Sequence, residues 1–207
     1  MKEDEYKTIE APTEAIYTEK RSKFLAFAIP VRTKDEIKAH VEAFQKKYYD
    51  ARHVCYSYML GPEYSDFRAN DNGEPSGTAG KPILDVINNS GIYNIVIAVT
   101  RYFGGVLLGT GGLVRAYTQA AAEAVQAAQV KTVCLCSIYD IALDYSDYDK
   151  VMYILSQSDG VMTETQYSDK VTIKATIPAD IADSVIETIR EKTAGKSEMN
   201  HLCDEII

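Results

Sequence analysis

The chain has little of what marks an extracellular scaffold or a membrane protein. Its four cysteines, Cys55, Cys134, Cys136 and Cys203, are too few and too scattered for a disulfide framework in 207 residues. No run of about 18 apolar residues occurs, so no membrane-spanning helix is expected. The opening segment MKEDEYKTIE is polar and acidic and lacks the apolar stretch of a secretory signal. Internal repeats and low-complexity linkers are also missing. These absences point to a reduced, cytoplasmic protein with no membrane partner. The 46% hydrophobic content supports a buried core, and the length allows one large domain or two small ones.

Charge is unevenly placed. Residues 1–136 carry 16 basic and 16 acidic side chains, whereas residues 137–207 carry 6 and 14, so the whole net charge of -8 sits in the second part. An acidic segment of this kind repels polyanions. The break places a domain boundary near residue 136, giving domains 1–136 and 137–207.

Periodicity outlines the elements. Residues 13–19 and 22–31 read as two strands. Thr33 and Glu36 form a T-x-x-E capping box before a helix with Ile37, Val41, Phe44 and Tyr48 on one face. His53–Leu60 reads as a strand, and residues 61–80 as a long polar loop with turn dipeptides Gly61-Pro62 and Asn72-Gly73. A short helix is expected over Ile83–Asn89, and the β-branched run Asn94–Thr100 reads as a strand covered on both faces. From Gly112 the alanine-rich LVRAYTQAAAEAVQAAQ is strongly helical. Val130–Leu143 follows as one or two strands. The remainder orders itself as strand, helix, hairpin (Val161–Tyr167 with Val171–Ile177), helix and last strand, the split βαβ, ferredoxin-like order.

Four constellations could carry chemistry. The first is the glycine-rich turn Gly109–Gly112 at a helix start. Arg101–Arg115 as a whole holds five of the twelve glycines, Gly104, Gly105, Gly109, Gly111 and Gly112. Free N–H groups and the helix dipole there attract anions, and Arg101 and Arg115 would add charged contacts. The same glycines equally fit a tightly packed strand-to-helix connection. No Lys-Ser/Thr follows, so this is not a P-loop, and Val114 breaks the G-x-G-x-x-G spacing. The second is Arg101-Tyr102-Phe103, an arginine beside aromatics at a strand end, a pairing that can stack bases and touch phosphates or simply split between core and surface. The third is Asp71-Asn72-Gly73-Glu74-Pro75 with Thr78. Two loop carboxylates would serve as acid and base, or hold a metal, or be ion-pair partners of Arg101 or Lys81. The fourth is His53 with Cys55, sharing a strand face. With Cys134 and Cys136 a zinc site can be drawn, but no C-x-x-C spacing supports it, and neither metal nor cofactor is expected.

At these residues the chain resembles a known family. DNGEPSGTAGKPIL and IVIAVTRYFGGVLLGTGGLVRAY, with DARHVCYSY at Asp50–Tyr58 and EKRSKFLAF before them, resemble the signature of the YigZ/IMPACT family. The likeness covers most of residues 15–120, and the two-domain length resembles the bacterial YigZ branch. The resemblance implies an α+β fold in both halves: an N-terminal domain like domain 2 of ribosomal protein S5, and a C-terminal ferredoxin-like βαββαβ domain. It implies a regulatory role in translation. The eukaryotic relatives act under amino-acid starvation by competing for an activator of an initiation-factor kinase, whereas for the bacterial branch it implies a role near RNA or the ribosome. Carried over by position, the motif marks His53, Asp71, Glu74, Pro75, Gly77, Thr78, Gly80, Arg101, Tyr102, Phe103, Gly104, Gly105, Gly109, Gly112 and Arg115, with no catalytic roles assigned.

Three functions are therefore expected, in this order. The first is binding of structured RNA or the ribosome through the Arg101–Arg115 surface, with Thr110, Gly111, His53, Asp71, Glu74, Thr78 and Lys81 around it. The second is action on a small phosphorylated ligand, with Asp71 or Glu74 as base and Arg101 and Arg115 as anion clamps. The third is contact with a protein partner through the acidic C-terminal domain. Binding rather than catalysis is the leading expectation.

Overall fold

A computed structural model describes residues 5–61, 66–158 and 161–207. Packing divides the chain into two units, one spanning 6–132 and the other containing 133–207.

In the first unit, β2 (Thr13–Glu19), β3 (Ser22–Pro30), β6 (Ile95–Tyr102), β4 (His53–Leu60) and β5 (Asp66–Asn70) form one sheet in that order. Every neighbouring pair is antiparallel. β6 is central, and Ile95 through Arg101 are all buried, as its continuous apolar run predicts. Two helices, α2 (Gly80–Ser90) and α3 (Gly109–Gln126), cover one face. There Phe24, Ala26, Ala28, Ile95, Ile97 and Val99 meet Ile83 and Ile87 of α2 and the small-residue stripe Ala116, Ala120, Ala121 and Ala124 of α3. The other face packs Phe27, Ile29, Tyr58, Leu60 and Val96 against Ile37 and Val41 of α1 (Lys34–Lys47). The alternation of Ala26 and Ala28 with Phe27 and Ile29 along β3 is the period-2 signature of a strand covered on both sides.

The capping box forms: Thr33 Oγ1 accepts the Glu36 N–H at 3.2 Å, and Glu36 reaches back to the N–H of Arg32 at 2.8 Å. Two expectations are corrected, and one strand is added. Residues 61–80 are not one loop, since β5 pairs with Tyr56–Leu60; its sequence DFRAN is too polar to announce a strand, and edge pairing through the backbone supplies what its side chains do not. The turn at Gly61-Pro62 reaches outside the described residues. Helix α3 starts at Gly109 rather than Gly112, so three glycines belong to its first turn. A strand over Glu5–Ile9, β1, was hidden by its charged surroundings, and its Ile9 is buried.

In the second unit, β7 (Val130–Leu143, starting in the first) is flanked by β9 (Val171–Pro178) and β10 (Glu198–Ile206), and β9 carries β8 (Met162–Tyr167) on its far side. The order β10-β7-β9-β8, all antiparallel, with α4 (Tyr145–Gln157) and α5 (Ala179–Lys192) as connections, is the ferredoxin-like arrangement. Val171, Ile173, Ala175 and Ile177 pack with Val151 and Leu155 of α4 and Val185 and Ile189 of α5.

Candidate functional site

The site is built at one end of the first unit's sheet. Pairing sets Lys23 opposite Tyr102 and His53 opposite Arg101, so the start of β3, the start of β4 and the end of β6 lie together. The loop from β5 to α2 brings Asp71–Thr78 to the same place, and α3 begins there.

At its centre lies a buried ion pair. Arg101 Nη1 donates to Glu74 Oε1 at 2.7 Å, with the two side chains 8% and 3% exposed. The Tyr117 hydroxyl donates to the same oxygen at 2.9 Å, and His53 Nε2 stands 3.9 Å from it. Cys55 Sγ donates to the Asp71 carbonyl at 2.9 Å and lies 3.4 Å from the Tyr117 oxygen. Burial pushes the Cys55 thiol up to about 12, so it stays protonated; burial also raises Tyr117, with the neighbouring Cys55 and Glu74 adding to it. Arg101 Nε is buried with no hydrogen-bond partner. The guanidinium lies 5.7 Å from both the Phe24 and Phe103 ring centres.

Asp71 is spent on structure. Its Oδ1 accepts the N–H groups of Ala79 and Gly80 at 2.9 and 2.8 Å, and its Oδ2 that of Gly77 at 2.8 Å. Burial alone would raise its pKa, but these three donors outweigh it and hold the carboxyl below its ordinary value. Asp71 thus fills the N-terminus of α2. Gly80 must be glycine here, because a Cβ would meet the Asn70 backbone. Thr78 is buried and bonded to the Pro75 carbonyl at 2.6 Å. His53 Nδ1 is 2.9 Å from the Asn72 carbonyl.

A cavity of about 420 Å³ opens beside the ion pair, lined by Arg52, His53, Glu74, Arg101, Phe103, the leucines 107, 108 and 113, and Gly109 and Thr110 at the start of α3. The structure therefore brings His53, Glu74, Arg101, Phe103, Gly109 and Thr110 together. It does not bring in Arg115, which is exposed further along α3 and acts on Tyr17 of β2. Nor does it bring Lys81, which is exposed and paired with Asp85 at 3.3 Å. Tyr102 donates to Asp50 at 2.9 Å. Gly104 is packed against the chain at Arg21, where a Cβ would overlap the backbone, and its N–H donates to Ser22 Oγ at 3.1 Å. Gly105 and Gly109 hold φ of +81° and +69°, while Gly111 faces open space and Gly112 sits close to Leu108.

Sequence reasoning missed Arg52 and Tyr117. Tyr117 was detectable as the one large polar-tipped side chain in the small-residue stripe of α3. Arg52 lies within the DARHVCYSY segment but was not singled out there; pairing of β4 with β6 brings it to the same cavity as Arg101.

The arrangement defines a two-unit α+β protein with a partly apolar cavity, lined also by Arg52 and Arg101, at the end of its first sheet. Residues 20–125 match the Impact N-terminal domain, and residues 141–196 match a domain of unknown function, DUF1949. IMPACT family member YvyE of Bacillus subtilis is 32% identical over 194 residues, 94% of this chain and 89% of that one. IMPACT family member YigZ of Escherichia coli is 33% identical over 171 residues, covering 82% and 84%. Protein IMPACT of Rattus norvegicus is 30% identical over 95 residues, 44% of this chain and 30% of the rat protein. The crystal structure of a hypothetical protein superposes with a TM-score of 0.69 at 27% identity, over 98% of this chain and 99% of that chain. The chain belongs to the IMPACT family.

Proposed function

We propose that the protein binds structured RNA, in keeping with a translation-linked role for its family, through the end of the first unit's sheet. The observation that carries this reading is the gathering of basic side chains there. Lys20 and Arg21 form the β2–β3 turn, Lys23 begins β3, Lys46 and Lys47 end α1, and Arg52 precedes β4; all are exposed. The charge balance of the first unit hides this cluster, which topology assembles from three separate stretches. Exposed Tyr49 and half-exposed Phe103 add rings that can stack on bases. Arg101 is not a free phosphate clamp, because its Nη1 is committed to Glu74. Phosphate contacts fall to the exposed residues, and Arg115 lies apart from them.

The acidic second unit supports a protein partner rather than RNA. One face of its sheet carries Asp140 and Glu164 beside Lys174, and Met162 and Leu202 are half exposed.

Co-sedimentation with ribosomes and gel shifts on structured RNA test the reading at about 50 and 200 mM salt. Binding should weaken steeply with salt. The variant Lys20→Glu/Lys23→Glu/Lys46→Glu should lose more than about tenfold in affinity and flatten the salt slope by about one unit per residue changed. No binding by the wild type at low salt, or equal binding by the variant, overturns it.

A further inference from the structure

Two thiols meet in β7, in a part of the second unit that the site above does not use. Cys134 and Cys136 stand two positions apart on the strand, so their side chains leave the same face. Their sulfurs are 3.3 Å apart, in direct contact. Both are free thiols; Cys136 is 1% exposed, and Cys134 is partly exposed. The other two cysteines are placed differently. Cys55 is buried in the first unit and donates to the Asp71 carbonyl, and Cys203 is exposed on β10 beside Glu205. A buried cysteine by itself is an ordinary small core residue. A partly exposed thiol with a second sulfur against it has the arrangement of an oxidisable cysteine beside its resolving partner.

The two thiols are not equivalent. Burial and the contact with Cys134 hold the Cys136 thiol well above its ordinary value, and the Asp180 carboxylate adds to this. Cys136 thus keeps its proton, and Cys134 is the sulfur that an oxidant in solvent meets first.

Backbone geometry decides what kind of bond results. Residues two apart in an extended strand are about 6.4–6.8 Å apart at Cα, the far end of the range that a disulfide spans. Closing the bond therefore puckers β7. The ladder thins at this point: pairing with β9 stops at Cys136, opposite Pro178, which has no N–H to give. Towards β10, Cys134 exchanges two hydrogen bonds of 2.9 Å with Ile207, just past the end of that strand. A disulfide closed under strain is easily reduced again.

We propose that Cys134 and Cys136 form a hydroperoxide-oxidisable dithiol, closing reversibly to a disulfide that loosens the pairing of β7 with Ile207. The Cys134 thiolate attacks one peroxide oxygen. An S–O bond forms, the O–O bond breaks, and the other oxygen leaves as hydroxide or alkoxide and takes up the proton that Cys134 released. The Cys136 sulfur then attacks the Cys134 sulfur. The S–S bond forms, the S–O bond breaks, and the hydroxyl leaves as water with the Cys136 proton. Both thiols are oxidised, and the peroxide is reduced to water and an alcohol, or to water alone from hydrogen peroxide.

Peptide mapping of the full chain treated with hydrogen peroxide tests it. Cleavage after Lys131 and Lys150 leaves both cysteines in residues 132–150, whereas Cys203 falls in 197–207. The first peptide should lose two hydrogens in mass and regain them with dithiothreitol. Cys203→Ser should behave in the same way, because that thiol takes no part. Cys136→Ser should leave Cys134 as a sulfenic acid that dimedone traps. In the oxidised wild type the Cys134 and Ile207 amides should exchange with solvent about fivefold faster or more, as loss of a hydrogen bond allows. A first peptide of unchanged mass, a link between the two peptides in place of the internal one, or a loss of mass that dithiothreitol does not reverse overturns the proposal. An internal bond with both amides still protected overturns the loosening at Ile207. The wild-type mapping decides the first question even if a serine variant fails to fold.

Discussion

Glu74 shows how a single carboxylate changes meaning once its neighbours are known. As a sequence letter it is either a base or an ion-pair partner; in the fold its Oε1 already accepts from Arg101 and Tyr117. An ion pair this deeply buried gains little over an apolar pair, but removing one member strands the other. Arg101→Ala should therefore cost about 3–5 kcal/mol of stability, read from denaturant midpoints. Replacing both partners, Glu74→Gln with Arg101→Met, should cost clearly less than the single change, a coupling that a double-mutant cycle measures. A loss below about 1 kcal/mol for Arg101→Ala would mean that Glu74 finds other compensation. The consequence for function is practical: changing Arg101 confounds stability with binding, so exposed Lys20, Lys23 and Lys46 are the better probes.

At the scale of elements, the N-terminus of α2 is filled from within the chain. Three backbone N–H groups hold the Asp71 carboxylate at the entry to α2. Because the folded pKa lies below the ordinary value, the unfolded chain takes up the proton more readily. Asp71 thus contributes stability above the ordinary aspartate range, and that contribution disappears as pH falls through the lower folded value. Asp71→Asn should destabilise the protein by about 1–3 kcal/mol at neutral pH, because its amide nitrogen faces a backbone N–H where a carboxylate oxygen accepted. It should also flatten the decline in urea midpoint between about pH 5 and 2. An unchanged acid profile would show that another carboxylate governs it. The capping box of α1 and the alanine stripe of α3 were legible because their partners are three or four residues away. β5 was not, because its pairing with Tyr56–Leu60 is a backbone matter that DFRAN does not advertise.

For the molecule as a whole, charge is segregated: a balanced first part followed by an acidic second one. If RNA binds only to the first unit, reversing charge on the sheet of the second should not matter. Lys174→Glu should leave RNA affinity within about twofold at every salt concentration, since it removes no phosphate contact. A large loss in that variant would bring the second unit into the interface. Among the described residues no helix is long and apolar enough to cross a membrane.

Local patterns carried a long way here. Periodicity marks α1, β9 and α5, a β-branched run marks β6 and alanine-rich composition marks α3, while the DNGEPSGTAGKPIL and RYFGGVLLGTGG segments contain residues that the fold gathers around the cavity. Hydrophobic period, capping residues and turn glycines are short-range signals, written within a few positions of where they act. Which carboxylate meets Arg101, which one caps α2, why Gly104 cannot carry a side chain, and why Arg115 lies apart while Arg52 joins the cavity all depended on strand register and loop path. These contacts join residues tens of positions apart, such as Glu74 with Arg101 and Tyr117, or Gly104 with Ser22. Their energies exist only after the chain has folded, so no local pattern could record them.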